Sequence, residues 1–171
     1  MTHARRWLVG VMGGGDAASL EAIALAGGLG REISRRGWAL LSGGRPRGVM
    51  AAVSAAAMEV PGHLVIGVLP GDGSGPAGRA TAELDLAVFT GMGHGRNVIN
   101  VLSSDVVVVC GGGGPGTASE AALALNAGRP LILLAAPEPW PTFFRSLSPT
   151  VQTADDVATC CRLIEDLRPQ R

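Results

Sequence analysis

Asp105 to Leu125, DVVVVCGGGGPGTASEAALAL, runs a buried-type strand into a glycine loop and then straight into a helix. Val106 to Val109 are four β-branched residues in succession, the pattern of a parallel strand covered on both faces rather than one alternating between core and water. Gly111 to Gly114 and Gly116 let backbone N–H groups approach a ligand with no Cβ in the way. Thr117 stands where its hydroxyl would cap the following helix. The unpaired N–H groups of such a helix start, together with the positive end of the dipole, make a seat for phosphate. On this reading Glu120 lies in the first helical turn, where it either helps cap the helix or points at a bound ligand.

Outward from this stretch, strand-like and helix-like segments alternate along the whole chain. Strands are predicted near Trp7 to Met12, Trp38 to Leu41, Leu64 to Val68, Leu86 to Phe89, Val106 to Cys110 and Leu131 to Leu134, with a short one around Val151. Helices are predicted over Ala17 to Arg36, Val49 to Glu59, Arg96 to Ser103, Thr117 to Asn126 and Asp155 to Leu167. Such alternation specifies an α/β fold, a doubly wound, mostly parallel sheet of six or seven strands flanked by helices, with ligands at the carboxyl ends of the strands. The expected organisation is a single domain spanning 1–171, a length sufficient to bury a sizeable core.

Composition narrows the function. The 14 basic and 14 acidic residues cancel, so neither a nucleic-acid polymer nor an anionic membrane is an expected partner. Every basic residue is arginine; without lysine, a phosphate-loop NTPase and a pyridoxal phosphate Schiff base are both excluded. Anion recognition falls to arginine, whose planar fork suits phosphate or carboxylate. Cys110, Cys160 and Cys161 show no CxxC spacing and fit buried structural roles in a reducing, cytoplasmic setting. His3, His63 and His94 are scattered, so no metal site and no cofactor is expected. Neither a signal peptide nor a membrane-spanning segment is read.

Two more glycine loops follow strands. The first strand leads into Gly13, Gly14, Gly15 and Asp16, and the second into Ser42, Gly43, Gly44, Arg45, Pro46, Arg47, Gly48, Val49 and Met50. Adjacent strand ends would gather these loops with the third, giving three glycine-lined helix starts around one pocket for a phosphorylated small molecule. The alternative is that each loop is only a tight connection. Gly111, Gly113 and Gly116 match GxGxxG, but no acid stands at the tip of the next strand to hold a ribose, which disfavours NAD. The glycine-rich loop Asp72 to Thr81, with Pro76 and Arg79, is either a flap over the site or an idle surface loop.

The order GGRPRGVM, then RNVIN, then GGGGPGTASE resembles the LOG superfamily of Rossmann-like proteins over nearly the whole chain. Well-known members are cytokinin riboside 5′-monophosphate phosphoribohydrolases; the GRN and GTxSE wording is closer to the branch of molybdenum cofactor carriers. The family motif PGGxGTxxE falls on Gly112 to Glu120, and its upstream arginine on Arg96. The chain departs from the phosphoribohydrolases at Gly112, in place of proline, at Asn97, in place of lysine, and at Arg45, in place of a glycine. The resemblance implies Arg96 and Glu120 as the catalytic pair. It also implies a phosphate or nucleotide pocket formed by Gly13, Gly14, Gly43, Gly44, Arg45, Gly48, Met50, Asn97, Gly113, Gly114, Gly116 and Thr117.

Cleaving an N-glycoside develops positive charge on the sugar ring, so a carboxylate there stabilises the transition state and activates water. Glu120 has the chemistry for both, and Arg96 for gripping a phosphate or orienting the carboxylate. The bland alternative is an ion pair that stiffens the crevice. His94, two residues before Arg96, is read as a solvated loop histidine, the alternative being contact with substrate. The presence of both residues favours a phosphoribohydrolase acting on a purine-type nucleoside 5′-monophosphate such as AMP. The alternative is a non-catalytic carrier or sensor for molybdenum cofactor or a nucleotide. Relatives imply a homo-oligomer, dimer or tetramer, and the apolar helix Val49 to Met58 is the candidate contact.

Overall fold

The computed structural model describes residues 5–74 and 79–169. Seven strands are present among these residues: β1 (Leu8–Gly13), β2 (Ala39–Ser42), β3 (Val65–Leu69), β4 (Leu86–Phe89), β5 (Val106–Cys110), β6 (Leu131–Leu134) and β7 (Gln152–Ala154). Among the described residues six α-helices accompany them: α1 (Leu20–Arg35), α2 (Gly48–Met58), α3 (Arg96–Ser103), α4 (Pro115–Asn126), α5 (Trp140–Leu147) and α6 (Val157–Asp166). The strands form one parallel sheet in the order β4-β3-β2-β1-β5-β6-β7, the doubly wound α/β arrangement expected from the alternation.

The four valines of β5 explain themselves once both faces are seen. Val106, Val108 and Cys110 pack into a core with α1, α2 and α6, whereas Val107 and Val109 pack into a second core with Val101 of α3, Ala121 of α4 and Phe144 of α5. Alternate side chains of a strand point to opposite faces, so an uninterrupted apolar run is required where helices cover both.

Helix ends follow local chemistry. Ser19 Oγ accepts from Ala22 N at 3.1 Å and sets the start of α1 at Leu20, later than the expected Ala17. Helix α4 begins at Pro115, not Thr117; its N-cap is Gly114, and no side chain caps it. Thr117 is therefore not the cap. Proline needs no N–H in a first helical turn, so the Gly-Pro junction opens the helix two residues early. As a result Glu120 lies in the second turn and is buried, which corrects its expected place in the first.

Helix α5 is not expected from the sequence, where Pro139 and Pro141 look like turn formers; proline at a helix start is nonetheless permitted, and Phe144 anchors the helix in the core. The short strand near Val151 is β7. Helix α2 packs mainly inward: its Val49, Val53 and Ala57 are buried in the same core as α1, Met50, Ala51, Ala52 and Met58 are half-buried, and Ala55 is its one exposed residue. The approach is close because Gly30 of α1 lacks a side chain: a Cβ there would overlap Val53 O.

All three cysteines are buried and free. Burial pushes the Cys110 thiol up to about 12 and that of Cys161 to about 11, and that of Cys160 is raised further by burial and the neighbouring thiols. These are inert packing residues at neutral pH. Among the described residues, no helix is long and apolar enough to cross a membrane.

Candidate functional site

Strand order decides which loops meet. Because β2, β1 and β5 are neighbours, the chain segments leaving Ser42, Gly13 and Cys110 emerge side by side at the carboxyl edge of the sheet. The direction of winding reverses between β1 and β5, and an open α/β sheet leaves a crevice at such a point. A cavity of about 380 Å³ lies there. Its walls include Gly13 and Gly14 from the first loop, Gly43, Arg45 and Met50 from the second, and Gly114, Gly116, Thr117 and Glu120 from the third. Arg96 and Asn97 enter from the start of α3. Gly15, Pro70 and His94 also reach the wall.

Gly44, Gly48 and Gly113 stand behind that wall and shape it. Gly44 turns the second loop at φ +65 and donates its N–H to Ser42 Oγ at 3.2 Å. Gly48, at φ +52, lies so close to the first loop that a Cβ would overlap Gly15 O and Gly14 O. A Cβ on Gly113 would strike Thr117, which therefore serves to pack the third loop. Thr81 N donates to Gly44 O at 2.8 Å, so the far end of the Asp72 to Thr81 loop is pinned beside the second glycine loop. Pro76, in the middle of that loop, lies outside the described residues, as does His3.

The helix starts are not equivalent. That of α1 is already satisfied by Ser19, and the amide of Val49 in α2 is committed to Gly14 O at 3.0 Å. Helix α4 has neither a side-chain cap nor an acid in its first turn. Its free amides and dipole are therefore left for an anion in the cavity.

The charged side chains reinforce this. Arg96 Nη1 lies 3.6 Å from Glu120 Oε1, an ion pair too long for a hydrogen bond, with both side chains about nine-tenths buried. Nη1 has no hydrogen-bond partner among the described residues. Burial lowers the Arg96 pKa against the pull of Glu120, and nearby Arg45 lowers it further. Burial likewise raises the Glu120 pKa, although Arg96 and the Asn100 hydrogen bond oppose it. For each group the loss of water outweighs the attraction of its partner. Nη1, which has no acceptor among the described residues, is left open to a bound anion. Gly43 makes room for this guanidinium: a Cβ there would lie 2.7 Å from Nη1 and Nη2.

Asn100 is the residue that sequence reasoning missed. It is fully buried and donates from Nδ2 to Glu120 Oε1 at 3.0 Å, fixing the carboxylate. The signal was present in RNVIN, where Arg96 and Asn100 are one helical turn apart and share a face of α3. Asn97 donates to Ser119 Oγ at 3.0 Å and to Gly116 O at 3.3 Å, tying α3 to the start of α4.

Comparison with known proteins gives the fold and the family. The structure of the molybdenum cofactor binding protein from Rippkaea orientalis is similar at 41% identity and a TM-score of 0.89, covering 95% of this chain and 98% of that one. That of the molybdenum cofactor carrier protein from Chlamydomonas reinhardtii is similar at 41% identity and a TM-score of 0.87, with the same coverage of 95% and 98%. An uncharacterised protein of Archaeoglobus fulgidus is 38% identical over 129 residues, 75% of this chain and 80% of that protein. The model of the SLOG cluster4 family, part of the LOG-like superfamily, matches residues 6–164, and the chain belongs to that family.

Proposed function

We propose that this protein binds a phosphorylated small molecule and hands it on unchanged, as a carrier for molybdenum cofactor or a closely similar phosphorylated pterin. The observation that carries the reading is the buried Arg96 Nη1, unpartnered beside the uncapped start of α4 in a cavity of about 380 Å³. A buried cationic donor without an acceptor is costly, and a phosphate placed there removes the cost. Likeness at 41% identity to proteins that bind or carry molybdenum cofactor supports the choice of cargo.

Phosphoribohydrolysis is the second reading, favoured by one feature: the Glu120 carboxylate opens on the same cavity as Arg96. In that chemistry the ionised carboxylate would stabilise the oxocarbenium-like sugar and take a proton from water.

One experiment separates the two. The purified protein is incubated with AMP, with an N6-substituted AMP and with molybdenum cofactor released from a donor enzyme. Chromatography then follows free base, and pterin fluorescence after gel filtration follows retained cofactor. The expected result is retained, intact cofactor and no adenine. Adenine released over many turnovers, and abolished by Glu120→Gln, would replace the carrier reading with the hydrolase.

The homo-oligomer is also proposed, with its contact on α3. Val98 and Leu102 of α3 are 41% and 51% exposed, and they edge a shallow apolar hollow that Leu123 of α4 completes. Light scattering should give a mass of at least twice the 17.3 kDa chain, and Val98→Glu with Leu102→Glu should halve it or more. A monomeric wild type ends this part of the proposal.

A further inference from the structure

A second cavity, of about 530 Å³, adjoins the first and shares Arg45 with it. Two separate segments build it. The loop after β2 contributes Arg45 and Arg47, and the segment leading to β4 contributes Arg79, Thr81 and Glu83. The hydrogen bond from Thr81 N to Gly44 O holds the two segments together. Three arginines thus face one space against a single lining acid, and Glu83 is engaged by the Thr81 hydroxyl.

The remaining counter-charge is weak. Arg47 Nη1 reaches Asp16 Oδ2 at 2.6 Å, but both side chains are more than half exposed, so the pair contributes little and exchanges readily with a better acceptor. Neither Arg45 nor Arg79 forms an ion pair among the described residues. Like charges from two segments, fastened by a backbone hydrogen bond, repel one another unless an anion sits between them. An anion held at α4 and Arg96 lies in a cavity that Arg45 lines but Arg47 and Arg79 do not, so these two are left without a partner from it.

We propose that the Arg45, Arg47 and Arg79 cavity is a second anion subsite of the same binding site, so that the ligand carries a phosphate at one end and a second phosphate or comparable oxyanion at a distance. This rests on the binding function proposed above and narrows its ligand class to doubly anionic metabolites. Arg45, on the boundary, contacts both ends. Arg47 and Arg79 grip only the second.

The test uses AMP, adenosine 3′,5′-bisphosphate and inorganic pyrophosphate as probes, titrated calorimetrically against the wild type and the Arg47→Ala, Arg79→Ala double variant. The bisphosphate is expected to bind the wild type about tenfold more tightly than AMP, because two partly exposed charge contacts each add a few-fold. That advantage should vanish in the double variant and shrink with added salt, while AMP affinity stays the same. If AMP binds but the bisphosphate gains nothing, or its gain survives in the double variant, the second subsite is refuted and the single-phosphate pocket stands. If neither nucleotide binds, pyrophosphate decides. Binding that disappears in the double variant keeps the arginine subsite and removes nucleotides as ligands, whereas no binding refutes the subsite.

Discussion

Arg96→Met is expected to weaken binding of a phosphorylated ligand by about 100-fold, on the order of 3 kcal/mol for a lost charge-assisted contact in a desolvated site. Methionine keeps the apolar stem and removes only the head, so the loss reports on the guanidinium and not on packing. The same substitution removes the cation that opposes burial at Glu120, whose pKa is already raised. A carboxyl group with its folded pKa above its unfolded one contributes stability that is fully present below the unfolded pKa and is lost as pH rises through the folded pKa. Arg96→Met raises the folded pKa further. The variant should therefore lose stability toward higher pH, above the ordinary glutamate range, more steeply than the wild type. Adding Glu120→Gln should flatten that dependence without restoring binding. Calorimetric titration gives the affinity, and urea unfolding at pH 5 and pH 8 gives the slope. Unchanged affinity in Arg96→Met would remove the anion seat from the cavity.

Gly48→Ala should be the most damaging single methyl addition near the site, costing roughly 3 kcal/mol or more. Two effects combine. The φ of +52 is strained for any residue with a Cβ, and that Cβ would overlap the carbonyl oxygens of Gly14 and Gly15. Neither oxygen can give way cheaply, since Gly14 O also accepts from Val49 N at the head of α2. The first and second loops would separate and the cavity would lose a wall. A urea midpoint matching the wild type, with ligand binding intact, would contradict this account. Gly15→Ala is the control, since a Cβ there meets nothing within 4 Å.

Much of this could be read in the sequence, because the signals were local. The valine run of β5 required cover on both faces, and glycine runs after β1, β2 and β5 marked where the backbone approaches something closely. What escaped depended on partners far along the chain. Thr117 has the chemistry of a cap for a helix that begins after the glycines, whereas Pro115 opens the helix and turns Glu120 inward. Helix α5 was hidden by prolines that a first turn accepts. Asn100 gained meaning only once α3 lay against α4 and brought Glu120 within hydrogen-bonding reach. Helix α2 is apolar on nearly every side, and nothing local reveals that Gly30 lets α1 meet it backbone to backbone.

The three sequestered thiols have a practical consequence. With Cys110 and Cys161 pushed up to about 12 and about 11, and Cys160 higher still, a maleimide dye at neutral pH finds almost no native thiolate to attack. A single cysteine introduced on an exposed position such as Ala55 should accept the dye selectively. The native protein thus offers a low-background frame for following ligand uptake by fluorescence, with no wild-type cysteine removed from its core.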